Sequence, residues 1–76
     1  MTEFQERVVE EYRELRLKCE KLNSFISHSQ IYPTLSVDEQ VLLRMQLMVM
    51  KQYASILTDR IIAFQEANNI VDSDLW

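Results

Sequence analysis

Apolar residues recur in the first third of the chain at Val8, Tyr12, Leu15, Cys19, Leu22 and Ile26, at spacings of 4, 3, 4, 3 and 4 residues. That alternation marks a coiled-coil seam, with Val8, Leu15 and Leu22 at one heptad position and Tyr12, Cys19 and Ile26 at the other. Val9, Leu17 and Phe25 lie off it. The surface between is charged, and Glu3 precedes Arg7 and Glu14 precedes Lys18 by four residues, an order that supports a solvated helix face. Thr2-Glu3-Phe4-Gln5 reads as a capping box that opens this helix.

The pattern breaks at Ser27-His28-Ser29-Gln30-Ile31-Tyr32-Pro33-Thr34-Leu35. Pro33 pushes Tyr32 out of the helical region and cannot continue a helix itself, so the first helix should end near Ser27 to Ser29. Ile31, Tyr32 and Leu35 are too apolar for a free linker and are expected to fold back as a plug. Ser36-Val37-Asp38-Glu39 is a second capping box.

Beyond it, eight of the ten residues from Val41 to Met50 are apolar. On a helix at about 100° per residue they point in every direction, so this segment must be covered from more than one side. The expected inward face collects Leu42, Leu43, Gln46, Val49, Met50, Tyr53, Ile56, Leu57, Arg60, Ile61 and Phe64. Val41, Met45, Leu47, Met48 and Ile62 are left as an outward surface for a second copy or another partner. The first breaker is Asn68-Asn69, after which the helical period is lost. The reading is one hairpin domain over residues 1–67, with a helix over 2–28, a connection over 29–36 and a helix over 37–67, followed by an acidic and apolar tail over 68–76 that ends in Trp76. Trp76 is a candidate partner anchor. One short connection makes the helices antiparallel neighbours, and pairing about the loop centre sets Tyr12 near Tyr53, Cys19 near Gln46, and Arg60 near Gln5, Glu6 and Val8. The expected fold class is an all-α, antiparallel two-helix hairpin assembling into a homo-oligomeric helical bundle.

Composition strengthens this picture. No Gly and one Pro in 76 residues leave little turn chemistry and favour few, long helices. A chain this short buries only about 60% of its unfolded surface, so a lone hairpin would be marginal and self-association would rescue it. A net charge of −4 argues against direct DNA or RNA binding and against anionic membranes. The apolar decade is too short to span a bilayer, Glu3 and Glu6 fall where a signal peptide would need basic and apolar residues, and one cysteine cannot close an intrachain disulfide. The expected compartment is the cytoplasm.

Catalytic machinery is scarce. His28, the only histidine, sits in the connection with no acid nearby in sequence to orient it, and Cys19 lies on the seam as a small apolar residue. Too few ligands are present for zinc, and without Gly there is no phosphate-cradling loop. The expectation is a non-enzyme without metal or cofactor. Arg60, on the expected inward face, would pair with Glu6 or Glu10. Alternatively Tyr12, Arg16, Tyr53 and Arg60 line a pocket between subunits that grips the phosphate and base of a cyclic nucleotide.

Phe4-Gln5-x-Arg7-Val8-x-Glu10, Leu15, Lys21-Leu22, Phe25-Ile26, Leu42-Leu43-x-x-Gln46, Met50, Tyr53, Ile56-Leu57 and Arg60-Ile61-x-x-Phe64 together resemble a largely uncharacterised family of small bacteriophage helical-hairpin proteins first catalogued in crAss-like phages. The resemblance covers roughly residues 4–64 and brings no catalytic residues with it. It implies a phage accessory protein working in the bacterial cytoplasm. The leading expectation is an inhibitor that masks a surface of a host defence protein. The alternatives are a sponge for a cyclic-nucleotide immune messenger at a subunit interface, and a structural or regulatory oligomer.

Overall fold

A computed structural model describes the backbone of residues 1–74 and the side chains of residues 1–67. Helix α1 spans Glu3–His28, a single 3-10 turn spans Tyr32–Thr34, and helix α2 spans Val37–Asp74. The two helices lie antiparallel in a rod of 61 × 18 × 15 Å.

Both capping signals act as the sequence suggests at the start of each helix. The Thr2 hydroxyl accepts from the Gln5 backbone N–H at 3.2 Å, and the Gln5 side-chain oxygen accepts from the Thr2 N–H at 3.1 Å. The Ser36 hydroxyl accepts from the Glu39 N–H at 3.2 Å. Each satisfies donors that a helix start otherwise leaves bare. α1 stops where Ser29 turns extended, with its N–H still bonded to the Phe25 carbonyl at 3.1 Å.

The connection is stitched around Tyr32. Its ring meets Phe25 edge-on at 6.1 Å, its hydroxyl donates to the Gln40 carbonyl at 3.2 Å, and the Arg44 guanidinium lies 6.0 Å from its centroid. The Gln40 amide in turn donates to the Leu35 carbonyl at 3.0 Å, holding the loop against the first turn of α2. Of the three residues expected to plug the hairpin, Tyr32 is buried and Leu35 partly so, but Ile31 is 62% exposed. Tyr32 has a ring to pack and a hydroxyl that finds a partner; Ile31 directs its side chain to solvent just before the 3-10 turn.

The α1 seam is the expected one: Val8 and Leu15 are buried, with Tyr12 and Cys19 packed beside them. Leu57 lies fully covered between the helices, with Met50, Ala54, Ile61 and Phe64 around it. On α2 the seam is Gln40, Leu43, Leu47, Met50, Ala54, Leu57, Ile61 and Phe64, an unbroken 3-and-4 alternation of buried or half-buried positions. It is rotated by about one residue from the expected face. Leu47, expected on the outward surface, is 8% exposed and belongs to this seam, whereas Leu42, Val49, Tyr53, Ile56 and Arg60, expected inward, are exposed. The register from the loop centre is right to within a residue, since Tyr53 hydrogen-bonds Glu11, the neighbour of Tyr12.

The edge-on contact of Phe4 with Phe64, at 6.3 Å, marks where α1 runs out. α2 does not stop there or at Asn68-Asn69: it continues to Asp74, so the segment 68–74 is helical and not the irregular tail expected. Asn costs a helix less than about 0.7 kcal/mol relative to Ala, and neither Gly nor Pro follows to end it. Trp76 lies outside the described residues.

Candidate functional site

Antiparallel packing gives the hairpin two unlike edges. Along one, the Tyr53 hydroxyl donates to the Glu11 carboxylate and the Arg60 guanidinium lies 5.8 Å from the centre of the Phe4 ring. The bond to Glu11 holds the Tyr53 proton and raises its pKa above the ordinary tyrosine value, and desolvation and the Glu11 charge push the same way against a lowering by Arg60. Arg60 is thus not the inward guanidinium expected to seek Glu6 or Glu10. One step off the seam, it keeps its charge in water and lays its stem and plane along an aromatic ring.

The positions flanking the seam on the other side form the opposite edge. There α1 supplies Arg16 and α2 supplies Arg44 and Lys51, with Arg16 and Lys51 at about the same level. An open depression of about 330 Å3 lies on this side of α1, lined by Tyr12, Arg13, Arg16, Leu17 and Glu20. The Arg16 Nε sits 3.4 Å from a Glu20 carboxylate oxygen, and both side chains are more than half exposed, so this ion pair is loose and salt-screened. Arg13 is paired in the same way with Glu10 at 3.6 Å, so an anionic group that displaces these exposed carboxylates would meet two guanidinium groups beside a phenol ring and an aliphatic wall. The structure therefore gathers Tyr12 and Arg16 of the expected pocket, while Tyr53 and Arg60 occupy the other edge. Arg13, Leu17 and Glu20 join them unforeseen. Their signal was available: Arg13, Leu17 and Glu20 follow one another at helical spacings of 4 and 3 residues.

The third surface is the outer face of α2. Val41, Met45, Met48 and Ile62 are exposed there, as the sequence suggests, and Leu42, Val49 and Ile56 join them. An exposed apolar stripe of this kind often marks a contact surface. Elsewhere, His28 is exposed at the end of α1 and Cys19 is a free, half-buried thiol in the seam. Among the described residues, no group of three or more His, Cys, Asp and Glu side chains is placed to hold a metal ion, and no helix is long and apolar enough to cross a membrane.

Comparison with known proteins places this chain in a phage family. A chain of Enterobacteria phage T4, described as an uncharacterized 7.5 kDa protein in the denB-rIIB intergenic region, is 42% identical over 65 residues, covering 86% of this chain and all of the T4 one. No solved structure matches the chain. The family model named Sequestin matches residues 2–63, which takes in α1, the connection and α2 up to the residue before Phe64. The kinship with small phage proteins suggested by the sequence is therefore right at that level, and the chain belongs to the Sequestin family.

Proposed function

We propose that the chain is a non-enzymatic sequestering protein that acts in the cytoplasm of a phage-infected bacterium, assembled from at least two copies, and that it captures a small cyclic-nucleotide messenger of host defence. The observation that carries this reading is the depression at Tyr12, Arg13 and Arg16. Guanidinium forks suit phosphate oxygens and the phenol ring suits a base. Its volume lies at the lower end of the range for small-molecule sites, and it opens to solvent on α1, away from the α2 face. The family name speaks of sequestration, which fits capture of a small molecule better than masking of a protein. A net charge of −4 disfavours a nucleic-acid polymer while leaving a local basic edge for a small anion.

The test is calorimetry and thermal shift against a panel of cyclic mono- and dinucleotides. A ligand at a hundred times its Kd raises folding stability by about 2.7 kcal/mol, a shift that Arg16→Ala should abolish and Arg60→Ala, on the other edge, should leave in place. The nucleotide should be recovered chemically intact from the denatured complex. Absence of a shift with every member removes the sponge reading.

The exposed apolar face of α2 supports a second reading, in which the protein masks a host defence protein. Copurification of one stoichiometric host protein, lost on Met48→Asp or Trp76→Ala, would favour it.

A further inference from the structure

The outer face of α2 reads the same in both directions. Leu42, Val49 and Ile56 are one heptad apart on the side toward Tyr53 and Arg60, and each is more than half exposed. Turned end for end about Val49, this stripe falls on itself. Leu42 meets the second copy's Ile56, Met45 meets its Tyr53, Gln46 meets its Gln52, and Val49 meets its own counterpart. Between Leu42 and Ile56 this face carries no charge, because Arg44 and Lys51 lie toward the basic edge. At each end Asp38 comes level with the second copy's Arg60, and Glu39 comes level with its Asp59, a like-charged pair that the solvated ends of the contact screen. The neighbouring stripe of Val41, Met48, Ser55 and Ile62 lacks this property, since reversal sets Met48 against Ser55.

We infer that two copies pack α2 against α2 antiparallel, about a two-fold axis at Val49. The inference rests on the proposed assembly and specifies its symmetry and register. The overlap from Asp38 to Arg60 runs about 33 Å. Leu42, Met45, Val49, Tyr53 and Ile56 expose roughly 100 Å2 each, on the order of 500 Å2 per copy, so their complete burial in two copies would just meet the ~1,000 Å2 that a specific interface needs. An isologous contact of this kind closes on itself and leaves the Tyr12 to Arg16 side of each hairpin open.

Site-directed cross-linking of the full chain tests the axis. In a Cys19→Ser background, Val49→Cys should form a covalent dimer under copper-phenanthroline oxidation, because a residue on a two-fold axis meets itself. Leu42→Cys, equally exposed, should stay uncross-linked alone, its copies being about 21 Å apart, yet pair with Ile56→Cys when the two variants are mixed. Leu17→Cys on α1 is the control for random collision. All four cysteine positions are exposed, so the variants should fold. Sedimentation in the same buffer separates the two failures. A particle of twice the 9.1 kDa chain mass whose Val49→Cys form stays uncross-linked, or whose Leu42→Cys form links as fast, overturns the axis; a single-chain mass overturns the assembly itself.

Discussion

Leu57 has no surface left to water, while Leu17, forty residues earlier on the back of α1, is 56% exposed. Leu57→Ala should therefore cost about 2–5 kcal/mol in urea denaturation, and Leu17→Ala no more than about 0.5 kcal/mol. Tyr53 offers a different handle, because its bond to Glu11 raises its pKa in the folded chain. The folded state holds that proton more tightly than the unfolded one, so the contribution is complete below the ordinary tyrosine value of about 10 and fades as pH rises through the folded value. Melting temperatures from pH 9 to 11 should fall more steeply in the wild type than in Tyr53→Phe. Neither partner of Tyr53 or of Arg60 was legible in the sequence. Both residues sit one position off the seam, where a small error in helix phase exchanges an inward role for an edge one.

At the scale of elements, α1 was legible throughout and α2 only in part. α1 alternates apolar and charged residues, so its period names its seam. α2 is apolar on nearly every side from Val41 to Met50, and its true seam includes Gln40 and Ala54, a polar residue and a small one that hydrophobicity does not single out. Gln40 is there because its amide bonds the loop carbonyl of Leu35, a role that only the folded connection reveals. The caps, by contrast, depend on local chemistry alone and could be read directly. Ser36→Ala should accordingly destabilise the hairpin by about 1 kcal/mol, measured as a lowered urea midpoint at unchanged m-value.

For the whole molecule, the governing fact is geometric. Two helices make a single layer, and a single layer can dry only one side of α2. The stripe through Leu42, Val49 and Ile56 stays wet in one copy, as do Met45 and Met48. That imbalance between apolar surface and available cover was visible in the composition and spacing, although which residues bear it was not, because Leu47 and its neighbours exchange places with a one-residue rotation. The lining of the depression on α1 was legible only in Tyr12 and Arg16, which share that helix, whereas Tyr53 and Arg60 were joined to them through an assumed face of α2. If the depression holds a nucleotide, Arg13→Ala should weaken that binding and leave the particle mass unchanged, since Arg13 lies away from the α2 stripe.

Sedimentation equilibrium of the wild-type chain at micromolar concentration, beside Val49→Asp, tests the central claim most directly. The wild type should sediment at no less than twice its 9.1 kDa chain mass, and the aspartate, placed in the uncharged stripe, should shift it toward single chains with loss of thermal stability. A wild-type protein that remains one well-folded chain, unchanged by that substitution, would contradict it.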